Sequence, residues 1–384
     1  MREIAILDQL VSLDPGLSSN LIQELKSWDK VIEKDISYLS DDGNIRQVKA
    51  YRAQHNNKRG PYKGGLRYSL DVNVKEVKEL SFWMTMKCAM INIPLGGGKG
   101  GICVNPSNLT KNERVSLAKS FSQNFSSSIG PDIDIPAPDM STGPFDMDIM
   151  EKEFFKINRK NGAFTGKSIH RGGIPGRDIA TALGGYYVIL KIIKRDKLNP
   201  NNLSIGIQGF GNAGINVAKL LFDFGCRITS VSDSKGYVFN ESGIDINKLI
   251  NQKKETGNIG GDMDIKKIFE HKFDIFIPAA GIESVPYVDC NYLVELANGP
   301  LINENILLKK GVEIFPDIFA SSGGVVVSYF EWLDNTKNHS YDLDKVKSEL
   351  KCLIDKGFDN LIDTSKKHKI DLRKAAYLVA LNNF

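Results

Sequence analysis

The spacing of apolar and polar positions changes along this chain, and the changes divide it into stretches of different structure. Residues 1–40 carry apolar side chains at helical spacing, as at Ile22, Leu25 and Trp28, and are predicted helical. From about 47 to 105, short apolar runs are punctuated by Gly60, Gly64, Gly65, Gly96, Gly97, Gly98, Gly100 and Gly101. Glycine at that density predicts sharp turns or backbone brought close to a ligand. Helical spacing returns over 76–90 and 111–128, and a loop-rich stretch, 162–176, is the expected hinge. Beyond it a helix over 182–193 precedes apolar runs at 203–209, 227–232, 273–278 and 312–316, each followed by a helical segment. Alternating strands and helices predict a parallel sheet with crossover helices. Helices over 344–365 and 372–381 end the pattern.

The expected architecture is therefore α/β with two domains. An N-terminal α/β domain over 1–180 would be joined by C-terminal helices, 341–384, packing back on it. A Rossmann-like dinucleotide-binding domain would occupy 181–340. A length of 384 residues agrees, since it exceeds what one core comfortably serves.

Composition removes several functions. The chain is 41% hydrophobic and 25% charged, with a net charge of +4 and both signs interspersed, so neither a nucleic-acid tail nor a nucleic-acid partner is expected. Five cysteines stand far apart with no C-x-x-C pair, which argues against a disulfide framework and a structural zinc, and the histidines lack metal-ligand spacing. No metal is expected. No apolar run approaches the ~18–20 residues that span a bilayer, and no secretory start is visible; a cytoplasmic location follows as the expectation.

One segment carries dinucleotide chemistry. Residues 203–214 read as a strand entering Gly209-Phe210-Gly211-Asn212-Ala213-Gly214, followed by a helix with Val217, Leu220 and Leu221 on one face. In G-x-G-x-x-G the first glycine makes the tight turn, the second admits a pyrophosphate and the third allows close helix packing. Free N–H groups at the helix start attract the phosphates. Asp233 follows Gly214 at the distance where an acid accepts ribose hydroxyls, which favours NAD; Ser232, Ser234 and Lys235 keep NADP open. Two apparent P-loops fail: Gly100 stands where Gly98-Lys99 needs Ser or Thr, and Asn161 where Gly166-Lys167-Ser168 needs glycine.

Three lysines stand in settings unlike a solvated surface: Pro61-Tyr-Lys63-Gly-Gly-Leu-Arg67, Met84-Thr-Met-Lys87-Cys-Ala89 and Gly96-Gly-Gly-Lys99-Gly-Gly101. A fourth segment, Asp134-Ile-Pro-Ala137-Pro-Asp139, sets an acid among prolines and small residues. Lysines in a partly dry cleft have depressed pKa values and are partners for carboxylates.

These segments, in this order, resemble the glutamate/leucine/phenylalanine/valine dehydrogenase family, most closely its glutamate-specific members. The likeness extends to Tyr51–Asn56, Gly172–Arg177, Ala180-Thr181, Ala297-Asn298-Gly-Pro300 and Pro316–Ser328. It implies reversible oxidative deamination of glutamate to 2-oxoglutarate and ammonia, with NAD as cofactor and NADP not excluded. It implies that Lys63, helped by Ser328, binds the side-chain carboxylate, with Ala137 and Val325 also against the substrate, and that Lys87 binds the α-carboxylate. Lys99 and Asp139 would be catalytic. Thr181, Gly209 through Gly214, Asp233, Ser234, Ala280 and Asn298 would hold the cofactor, and the assembly would be a homohexamer. An apolar residue replaces Lys63 in members acting on leucine or phenylalanine, which favours glutamate here. The chain departs from the family at Ser321-Ser322, where Asn-Ala is usual, and at Ala279–Ser284. Another amino-acid substrate, or a non-catalytic nucleotide-binding homologue, remains an alternative on sequence grounds.

Overall fold

The structure is a computed structural model that describes residues 2–14 and 17–384. It contains two compact units. The first comprises the chain up to Arg177 together with Val325–Val346 and Tyr377–Phe384. It starts with α1 (Arg2–Leu13) and α2 (Ser19–Leu25), then β1 (Lys30–Leu39), β2 (Ile45–Asn56) and β3 (Tyr62–Tyr68). There follow α3 (Val74–Met90), β4 (Gly96–Ile102), α4 (Lys111–Phe125), β5 (Asp134–Pro138) and α5 (Pro144–Asn158). The five strands form one mixed sheet in the order β1-β2-β4-β3-β5, with β3 parallel to both β4 and β5. Leu66, Tyr68, Phe121, Phe125, Met147 and Phe154 make a continuous core between the strands and the pair α4 and α5. Tyr51, Ala53 and Val77 form a second cluster where α3 packs.

One expectation fails here, and one of two alternatives is removed, for identifiable reasons. Residues 30–39 are a strand, not helix. Ile32, Ile36 and Tyr38 alternate onto the core, and antiparallel pairing with β2 outweighs any local helical preference. The glycine run 96–101 is not a turn but the central strand β4. A Cβ at Gly97 would lie 2.3 Å from the carbonyl oxygen of Ser81 on α3, so the glycines let a helix lie directly on the sheet.

Arg52 and Asp134 pin the same sheet from inside. Both side chains are fully buried; Arg52 Nε donates to Asp134 Oδ2 at 2.9 Å and Nη1 to the Gly64 carbonyl at 3.1 Å. Arg52→Met strands the Asp134 carboxylate in the core and should lower stability by about 3–5 kcal/mol, read from the urea midpoint. A double variant, Arg52→Met with Asp134→Leu, should recover most of that loss.

The second unit comprises Asp178–Gly324 and Lys347–Ala376. In chain order it contains α6 (Ala180–Arg195), β6 (Ile205–Gln208), α7 (Asn212–Asp223), β7 (Ile228–Ser232), β8 (Tyr237–Phe239) and α8 (Ile246–Thr256). β9 (Lys272–Pro278), β10 (Asp289–Val294), α9 (Glu304–Lys309), β11 (Glu313–Phe315) and α10 (Asp317–Ala320) complete its body. Its sheet runs β11-β10-β9-β6-β7-β8, parallel except for β8. The order reverses at β6, and the carboxyl ends of β6 and β9 therefore flank the crevice where doubly wound sheets bind ligands. β8 and β10 escaped the sequence reading because one is three residues long and the other opens on Asp289 and Asn291, which interrupt its apolar run.

The remaining helices correct the expected boundaries. α11 (Gly323–Lys337) belongs from Val325 onward to the first unit, although 181–340 was expected to form one domain. α12 (Leu343–His368) packs from Lys347 on the second unit, through Phe358 stacked on Phe315 and Asp359 paired with Lys191, instead of on the first. α13 (Leu372–Asn382) is shared: its first residues belong to the second unit and Tyr377 onward to the first. Helical periodicity shows which face is apolar, but not which neighbour will cover it.

Candidate active site

The geometry starts from the strand order. β3 lies between β4 and β5, so Lys99 on β4 and Asp139 just beyond β5 meet across it. Lys99 Nζ donates to Asp139 Oδ1 at 2.8 Å, and Arg67, near the end of β3, donates through Nε to Oδ2 at 2.6 Å. Burial pushes the Asp139 carboxyl up, but the Lys99 and Arg67 charges override it and hold it well below the usual carboxylate range. Burial pulls the Lys99 amine down, Asp139 opposes that, and the charges of Arg67 and Lys87 add to it; the net shift is downward. Arg67 is itself held by Glu76 on α3, at 2.5 Å.

Lys63 faces Gly97 on one neighbouring strand and Ile135 on the other. It is 1% exposed, and its amine donates to the Ile135 carbonyl at 3.2 Å. Burial, then the charges of Arg177 and Arg52, pull its pKa down to about 7; Glu331 opposes them. Lys87 lies buried in the last turn of α3, close enough for its charge to act on Lys99. Ala137 on β5 is buried opposite Gly65. Val325 and Ser328 are buried on α11, and the Ser328 hydroxyl lies 3.1 Å from that of Thr165. All seven residues expected around the substrate thus belong to one unit.

Four neighbours escaped the sequence reading: Arg67, Thr165, Lys167 and Glu331. Glu331 is fully buried one turn beyond Ser328 and accepts from the Gly166 N–H at 2.7 Å and Lys167 Nζ at 3.0 Å. It thereby fixes the segment that presents Thr165. The signal the sequence carries for them is Lys167, a lysine inside a glycine-rich loop without P-loop spacing.

The second unit presents the cofactor features. Gly209, at the end of β6, has φ +94°, and a Cβ there would lie 2.8 Å from the Ala279 carbonyl oxygen. A Cβ at Gly214 would lie 1.9 Å from the Gly209 carbonyl oxygen, whereas one at Gly211 would meet open space. Those are the roles the three glycines take around a pyrophosphate. Phe210 is buried, Asn212 opens α7 with its side-chain amide on the Asp178 carbonyl at 2.7 Å, and Ala213 lies in the first turn. Thr181 is in the first turn of α6, and Ala280 adjoins Gly209 beyond β9. Asn298 lies in the turn after β10, where Asp317 accepts the Gly299 N–H at 2.9 Å. Ser234 is exposed, and Asp233 is buried against Lys253 at 2.6 Å. The departures have local partners: Ser321 Oγ donates to the Asp317 carbonyl at 2.8 Å, and the Ser284 carbonyl accepts from Gln208 at 3.2 Å. An open helix N-terminus, a glycine cradle and a topological switch point fit a dinucleotide.

Among the described residues no cluster of His, Cys, Asp or Glu could hold a metal ion, and no helix is long and apolar enough to cross a membrane. Two family models cover most of the chain: "Glu/Leu/Phe/Val dehydrogenase, dimerisation domain" over 29–156 and "Glutamate/Leucine/Phenylalanine/Valine dehydrogenase" over 172–384. An NAD-specific glutamate dehydrogenase of Staphylococcus aureus is 37% identical, with 95% of this chain and 92% of that protein covered. An NADP-specific glutamate dehydrogenase of a Synechocystis species is 35% identical, with 96% and 91% covered. The hetero-hexameric glutamate dehydrogenase of Thermus thermophilus, solved in its leucine-bound form, superposes with a TM-score of 0.95 at 27% identity, covering 99% of this chain and 94% of that one. With both halves matched and relatives above a third identical along nearly its whole length, the chain belongs to the glutamate/leucine/phenylalanine/valine dehydrogenase family.

Proposed function

We propose that this protein is a glutamate dehydrogenase that interconverts L-glutamate and 2-oxoglutarate plus ammonia with NAD(P). The observation that carries the reading is Lys63, a buried lysine that makes no ion pair among the described residues. Such a group is costly unless a carboxylate arrives to meet it, and the side chain of glutamate brings one. We assign Ser328, whose hydroxyl lies 3.1 Å from that of Thr165, to the same carboxylate, and Lys87 to the α-carboxylate, as the family resemblance implies. A substrate anionic at both ends thus finds a cation at each.

A bound nicotinamide would supply the acceptor for the hydride of the α-carbon. Lys99 then holds an ammonium against the oxygen that gains negative character as water adds to the imine. Asp139, hydrogen-bonded to Lys99, takes and returns the protons of the nitrogen and the water. The glycine turn 209–214 and the start of α7 would hold the cofactor's pyrophosphate. In assembly we read the protein as a homo-oligomer, a hexamer, in keeping with the dimerisation-domain match and the hexameric relative. We place it in the cytoplasm.

The test compares glutamate with norvaline, which has the same chain length but no second carboxylate. With Lys63 depressed to about 7, its charge is full below that pH and is lost as pH rises through it. The ratio of kcat/KM for glutamate to that for norvaline should therefore favour glutamate at neutral pH. It should fall by up to about tenfold per pH unit above 7 until the bound carboxylate restores the charge. Both substrates carry the same α-amino group, so its titration cancels in the ratio. A ratio near one at neutral pH would end the glutamate reading.

A further inference from the structure

An aspartate at the end of the second strand of a dinucleotide fold is useful to NAD because its oxygens accept the ribose hydroxyls. That role requires unfilled acceptor sites, and an ionised carboxylate has about four. At Asp233 the protein itself supplies four donors. Oδ1 accepts the N–H groups of Lys235 at 2.8 Å and Gly236 at 2.9 Å. Oδ2 accepts Lys253 Nζ at 2.6 Å and the Ile259 N–H at 3.2 Å. The side chain is 4% exposed. Gln252 secures the arrangement by donating to the Ile259 carbonyl at 2.8 Å, which fixes the turn after α8.

The group presented instead is a cation. Lys253 reaches from α8 with 24% of its side chain exposed, and its amine lies 6.0 Å from the centre of the Phe210 ring, inside the glycine turn. An ammonium has three donors, and the bond to Asp233 uses one. Ser234 and Lys235, both exposed, follow directly in the chain. The end of β7 therefore offers the free N–H donors of Lys253 and, with Asp233 and Lys253 neutralising one another, the net positive charge of Lys235. Hydroxyls gain little from such a site, whereas a phosphate gains charge-assisted hydrogen bonds. An NAD-specific and an NADP-specific relative are nearly equally similar to this chain, at 37% and 35% identity.

We propose that this chain binds NADP(H) more tightly than NAD(H), with Lys253 contacting the 2′-phosphate and Asp233 acting as the positioning residue that holds Lys253 in place. The assignment rests on the dinucleotide site of the proposed function but not on its substrate. It is tested by equilibrium titration of the whole protein, without substrate, following the fluorescence of NADPH and NADH. The Kd for NADPH should be the lower, and more strongly raised by salt. Lys253→Met should shift the ratio of the two Kd values toward NADH by about tenfold or more, and Lys253→Arg should keep it near that of the parent. Tighter binding of NADH by the parent, or equal weakening of both by Lys253→Met, would overturn the assignment while leaving the dehydrogenase reading intact. Binding of neither would overturn both.

Discussion

Replacing Lys63 with methionine should lower kcat/KM for glutamate by about 100- to 1,000-fold, the loss expected when one partner of a desolvated charge pair is removed. The argument rests on where this lysine is. It lies second in a strand paired on both sides, is 1% exposed, and among the described residues its amine bonds only to a backbone carbonyl. Methionine keeps the length and the apolar stem, and the fold also gains from losing a buried amine, so thermal stability should hold or rise. The other half of the result is selectivity. Norvaline and leucine end in methyl groups that meet an amine in the parent and a thioether in the variant, so their turnover should hold or improve. Initial rates with the three amino acids decide it. Equal losses on glutamate and norvaline would mean that Lys63 supports the fold of the pocket and not recognition of the second carboxylate.

How much of this was readable in the residues depends on whether the signal was local. Gly209 to Gly214 was legible because each glycine answers a steric demand made within a few residues, and strand, turn and helix follow in order. Lys63, Lys87 and Lys99 were legible because lysine among glycines and apolar residues contradicts its usual setting. Arg67 was not. An arginine beside an aspartate 72 positions away becomes visible only when β3 and β5 pair. Glu331 and Thr165 escaped for the same reason, since α11 and the 162–168 loop meet only in the folded unit. Asp233 shows the converse hazard. Its spacing from Gly214 correctly places it at the end of β7, yet its acceptor sites are filled by residues up to 26 positions downstream. The misreading of 30–39 as helix and the reassignment of α11 and α12 have a common cause: pattern fixes an element's apolar face, and pairing decides its partner.

Asp139→Asn carries the largest expected loss in the chemical step. Asparagine matches the carboxylate in size but has a single acceptor oxygen, so it keeps the bond from one of Lys99 and Arg67 and loses the other; KM should still change by no more than a few-fold. It cannot take up a proton, and general acid–base groups are worth about 10²–10⁴ in rate, so kcat should fall within that range. The electrostatics add a second, independent mark. In the parent, Asp139 partly offsets the burial that depresses Lys99. Removing that anion drops the Lys99 pKa further, so the ammonium is lost at a lower pH. Whatever activity remains should therefore have its basic limb displaced toward acid relative to the parent. A purely structural lesion would reduce the number of active molecules without moving that limb. The measurement is kcat and KM for glutamate across the neutral range, with the unfolding midpoint followed alongside. A kcat unchanged from the parent removes Asp139 from the proton transfers. A lowered kcat with an unmoved limb removes it from the control of Lys99 and leaves the ion pair a contact of the resting protein alone.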